Sequence, residues 1–93
     1  MISVCFRLER DGQVLAVFPY IENTGTMLLS YSHVGQYTVA AWEYLRYSTT
    51  PARPEEYAGL LAELKGRGYD DLKILSRLPN WYKIATGRIE GRS

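Results

Sequence analysis

The sequence predicts an α+β domain: an antiparallel sheet of three to four strands, arranged as a meander of three, then a helix, then a fourth strand, with one main helix packed on one face. Three observations lead there. Ile2, Val4, Phe6 and Leu8 alternate with Ser3, Cys5, Arg7 and Glu9 just ahead of an Asp11-Gly12 dipeptide. Tyr57, Leu60, Leu61 and Leu64 repeat at helical spacing between Pro54 and Gly68, and Leu72, Ile74, Ser76 and Leu78 alternate again before Pro79. A chain of 93 residues, 46% of them hydrophobic, has material for one core and none for a second, so residues 1–88 are read as a single domain.

Period-two alternation over the first strand is that of a strand with one buried face. Asp-Gly accepts the positive φ of a tight hairpin turn, so Gln13 to Phe18 returns antiparallel beside it. In this second strand Val14, Ala16 and Phe18 alternate with Leu15 and Val17, which makes it apolar on both faces and therefore central or covered. Pro19 closes it, since proline lacks the ladder donor. Asn23-Thr24-Gly25 reads as a second turn, and Thr26 to Ser32 as a third strand with Met27, Leu29 and Tyr31 on one side.

His33 to Tyr37 has neither period and is placed in a loop. Thr38 is read as the cap of a short helix reaching Tyr47, with Val39, Ala41, Trp42 and Leu45 sharing a face. Ser48 to Pro54 reads as a linker. Pro54-Glu55-Glu56 is a helix first turn, with proline where no N–H is needed and carboxylates at the positive end of the dipole. Gly66 or, better, Gly68 supplies the left-handed stop. The fourth strand runs from Leu72 to Leu78 and joins an edge of the sheet; Asn80 to Arg88 is either a short helix or an ordered tail. Ile89 to Ser93 spells the recognition sequence of the clotting protease used to remove purification tags, and is read as a remnant of such a site.

Eleven basic against ten acidic residues leave a net charge of +1, too little for a global field that would attract nucleic acid or an anionic membrane. No apolar run reaches the roughly 18 residues that span a bilayer, and Arg7, Glu9 and Arg10 break the N-terminal stretch too early for a secretory signal. A lone cysteine, Cys5, excludes an internal disulfide and suits a reducing compartment. These features predict a cytoplasmic, bacterial protein with no membrane partner.

Chemistry has few carriers. The single histidine, His33, is the only imidazole available to activate Cys5, and the sequence holds neither paired histidines nor acidic metal loops, so no catalytic residue, metal or cofactor is assigned. Gly66-Arg67-Gly68 follows a helix, whereas a phosphate loop precedes one. Ser30 to Thr38 gathers seven hydrogen-bonding side chains in nine residues, which marks His33, Gln36 and Tyr37 as candidate ligand or partner contacts; sharp-turn and capping chemistry is the structural alternative. Eight tyrosines and two tryptophans are more aromatic residues than short helices can bury, so Trp42, beside Arg46, is a candidate partner anchor. A basic, aromatic C-terminal segment made of Lys73, Arg77, Trp81, Tyr82, Lys83 and Arg88 suits phosphate contact and base stacking.

Phe18-Pro19, Ser32-His33-Val34-Gly35-Gln36, Pro54-Glu55-Glu56-Tyr57 and Gly68-Tyr69-Asp70-Asp71-Leu72 together resemble small uncharacterised bacterial proteins carried on plasmids, phages and gene cassettes. The resemblance covers most of the chain up to the fourth strand and implies a mobile-element accessory protein, with no catalytic residue to carry over. The expectation is a non-enzymatic protein-interaction domain, as a homodimer or with another protein; the alternative is a small nucleic-acid-binding protein that uses the C-terminal segment.

Overall fold

Residues 2–21, 27–32 and 36–85 are described by the computed structural model. Strand β1 (Ile2–Leu8) and strand β2 (Val14–Phe18) form the expected antiparallel hairpin, in register from Cys5 opposite Val17 to Leu8 opposite Val14. Its turn closes through Glu9 N–H to the Gln13 carbonyl at 2.7 Å, with Gly12 at φ +91° and the Asp11 carboxylate accepting from Gln13 N–H at 3.1 Å. Strand β3 (Met27–Tyr31) continues the meander on β2; the expected turn at Asn23-Thr24-Gly25 lies outside the described residues.

Tyr37–Ala41 corrects two expectations, because it is neither loop nor helix but a fourth antiparallel strand, β4, paired residue for residue with β3. Tyr37, Thr38 and Val39 are aromatic or β-branched, which suits a pleated surface better than a helix. The exposed edge of β3 supplies backbone partners that local sequence does not reveal. Helix α1 (Trp42–Ser48) therefore starts four residues after Thr38, with Ala41 at its N-cap. The segment expected as a linker contains a two-residue strand, β5 (Thr50–Pro51), that pairs antiparallel with Arg7 and Leu8.

Helix α2 (Pro54–Gly66) begins at Pro54 as expected, with Arg53 N–H donating to the Glu56 carboxylate at 2.8 Å. It ends in a Schellman arrangement: Gly68 sits at φ +104°, Gly68 N–H reaches the Lys65 carbonyl and Tyr69 N–H the Leu64 carbonyl, each at 3.1 Å. Strand β6 (Leu72–Leu75) is shorter than expected and runs parallel to β1, from Ile2 beside Leu72 to Cys5 beside Leu75. A single-turn helix, α3 (81–85), follows, capped where the Asn80 side chain accepts from Lys83 N–H at 2.8 Å.

The sheet thus has six strands among the described residues, ordered β4-β3-β2-β1, with β1's outer edge shared by β6 over Ile2–Cys5 and by β5 over Arg7–Leu8. On one face Val4, Phe6, Ala16, Phe18 and Tyr31 pack beneath Leu60 and Leu64 of α2. On the other, Cys5, Leu15, Val17 and Leu28 meet Leu45 of α1, Leu78, and Ile84 of α3. The even positions of β1 face α2 and the odd ones face α1, so the phase read as polar in β1 is buried as well. No described helix is long and apolar enough to cross a membrane.

Candidate anion-binding cleft

Arg7 is in phase with Cys5 on β1 and directly opposite Leu15, so its side chain enters the face closed by α1 and α3 and is only 4% exposed. There it closes the end of α1. Nε donates to Thr49 Oγ1 and Nη2 to the carbonyls of Leu45 and Thr49, all at 3.0 Å, while Thr49 Oγ1 donates to the same Leu45 carbonyl at 2.5 Å. All these acceptors are neutral. The C-terminal end of a helix contributes roughly half an elementary charge of the opposite sign, which offsets part of the guanidinium charge and leaves the rest.

Among the described residues no carboxylate is paired with the Arg7 guanidinium. A cleft of about 830 Å³ opens beside Arg7, between the end of α1 and the segment running from Leu75 to Lys83. Arg46 from α1, Arg77 from the turn after β6 and Lys83 from α3 line it, and among the described residues no carboxylate does. Among the described residues none of these four cations makes an ion pair, whereas Arg53 pairs with Glu55 and Glu56, and Arg67 with Glu63. Burial, with Arg46 as a like-charged neighbour, lowers the Arg7 pKa, although the Cys5 thiol partly offsets this. Burying a charge without a counter-charge is costly, and an anion in the cleft relieves that cost.

Neutral groups complete the lining. Thr49, Thr50, Ser76 and Asn80 bring polar side chains, and Tyr20 brings a phenol. Burial raises the Tyr20 pKa, so at neutral pH it faces an anion as an O–H donor and not as a phenolate. Cys5 is fully buried and its thiol is also pushed up by burial, with Arg7 acting the other way, which works against a nucleophilic role. The described residues hold no cluster of three or more metal-ligating side chains.

The residues singled out from sequence distribute unevenly over this geometry. Arg46, Arg77 and Lys83 come together in the cleft. Lys73 is exposed on β6, in phase with Leu75 and so on the cleft's side of the sheet, but does not line it. Trp81 is half-buried against the core beneath α1, and Tyr82 is 81% exposed. Trp42 is half-buried and donates its indole N–H to the Pro79 carbonyl at 2.9 Å, tying α1 to the segment before α3. Gln36 closes the β3–β4 connection by accepting from Ser32 N–H at 2.9 Å, and Tyr37 shares a 2.6 Å hydrogen bond with Tyr69 on the opposite side of the sheet from the cleft. His33 and Arg88 lie outside the described residues.

Arg7, Tyr20, Thr49 and Asn80 are site residues that sequence reasoning passed over. A signal for Arg7 was present: a second strand apolar on both faces requires both faces to be covered, and its neighbour across the hairpin is then buried too. Comparison with protein-family models, curated proteins and solved structures finds no match to this chain.

Proposed function

We propose that the chain is a non-enzymatic binding module that holds the phosphate backbone of single-stranded nucleic acid in the cation-lined cleft. The observation that carries the reading is four cations gathered on one concave surface, one of them buried, with no ion pair to another described residue. Phosphate oxygens match the fork of an arginine, and the hydroxyl and amide groups of the lining add neutral contacts. Tyr20 places an aromatic ring among the cations, the combination that tracks single strands. An accessory role on a bacterial mobile element, in the cytoplasm, fits this reading.

Fluorescence anisotropy with a labelled oligothymidine tests it. Affinity should fall as salt rises, with a log–log slope of about −0.7 for each phosphate neutralised. Arg46→Glu and Arg77→Glu should each weaken binding while leaving the fold intact. Absence of binding at low ionic strength would overturn the proposal.

One observation favours a second reading, self-association. Tyr37 and Val39, on the α2 side of β4, remain 46% and 45% exposed at the end of the sheet farthest from β6. Adjacent exposed apolar residues on an edge strand suit a second copy of this chain. Light scattering across a range of concentrations would give a stable dimer on this reading, and a persistent monomer would dismiss it.

A further inference from the structure

On the opposite side of the sheet from the cleft, where β5 and β6 part from one another along β1, a slot of about 350 Å³ opens beside α2. Phe6 and Tyr57 form one wall as a stacked pair, ring centroids 4.2 Å apart and planes within 10°. Ile74 and Pro54 supply further apolar surface, none of the described residues that line the slot is charged, and Ser76 offers a hydroxyl. Leu75 and Ser76 line both the slot and the basic cleft, so the two meet at the end of β6.

We infer that the slot receives one base of the strand whose phosphates occupy the cleft, the strand crossing the sheet edge at Ser76. The inference rests on the nucleic-acid reading of the cleft and extends it to the part of the ligand that carries no charge. A planar, uncharged heterocycle suits an aromatic, uncharged slot. Its attachment to a phosphate accounts for the junction of that slot with a surface holding four cations.

The test uses two labelled strands of equal length and equal phosphate number, oligothymidine and a fully abasic strand, titrated at low salt. The thymidine strand should bind about tenfold more tightly, the scale of one stacked base. Tyr57→Leu, which keeps apolar bulk, and Ile74→Gln, at a position already 41% exposed, should each remove that preference and leave salt-dependent binding of the abasic strand unchanged. Equal affinity of the wild-type chain for both strands would overturn the base slot and leave the phosphate cleft standing. If neither strand binds, the cleft reading fails and the slot fails with it. The use of two variants separates loss of the slot from misfolding, since the Ile74 side chain is exposed.

Discussion

Val17 and Phe18 are neighbours in β2 and both are fully buried, yet they point into different surroundings. Phe18 faces α2, a 13-residue helix that lays Leu60 and Leu64 over the sheet and finishes on Tyr69, whose ring stacks on Phe18 at 5.5 Å. Val17 faces two short elements, the seven-residue α1 and the single turn of α3, with the segment around Leu78 between them. One long amphipathic helix can cover its face with apolar side chains alone. Two short ones meet imperfectly, and the space between them is where Arg7 lies buried and the cleft opens.

The comparison is broken or sharpened most strongly by Phe18→Ala. Truncating a fully buried aromatic should cost about 3–5 kcal/mol, a large part of a small domain's stability, read as a fall in the urea midpoint. A cost below about 1 kcal/mol would mean that the α2 face does not dominate the fold. Arg7→Met should change stability by only about 1–2 kcal/mol: the Leu45 carbonyl keeps its bond from Thr49, and the methionine fills similar space without a buried charge. The same variant should lose the oligonucleotide-dependent rise in midpoint expected of the wild-type chain, a separation of stability from binding that Phe18→Ala would not reproduce. Trp42→Phe, which removes the indole bond to Pro79, should cost about 1 kcal/mol and speed amide exchange over residues 78–85 more than over α2.

The last effect is absent at neutral pH and confined to high pH. Hydrogen bonding to Tyr37, with burial second, raises the Tyr69 pKa to about 12. A phenol whose pKa is raised by folding supports the fold up to its unfolded value near 10, and that support is withdrawn as pH climbs from about 10 to about 12. Urea midpoints should therefore fall over that window. Tyr69→Phe should flatten the fall while changing little at pH 7, and an unchanged alkaline slope would show that the pair is not coupled to folding.

The sequence announces what is local. The Asp11-Gly12 hairpin, the Pro54 start of α2 and its stop at Gly68 each follow from residues within a few positions of one another, and all three are present. β4 was hidden because its five residues mix strand and helix formers, and the β3 edge decides between them. The parallel pairing of β6 with β1 joins residues seventy positions apart, Ile2 and Leu72, which no window of sequence can display. The cleft was half legible. Arg46, Arg77 and Lys83 had been marked, but for two different functions, and only the fold joins them. Arg7 looked like the solvated side of an alternating strand until the second face proved covered.

The shared outer edge of β1 also bears on how the chain is made. Emerging from the ribosome, residues 2–18 can zip into a hairpin at once, but the far side of β1 waits for residues 50 and 51 and then for 72–75. Until those arrive, a nascent chain carries a seven-residue strand with one row of backbone donors and acceptors open to any neighbour. Docking of the last strand, which joins residues 2–5 to 72–75, should therefore be the slowest pairing to form, and the open β1 edge is the surface that aggregation during refolding would use.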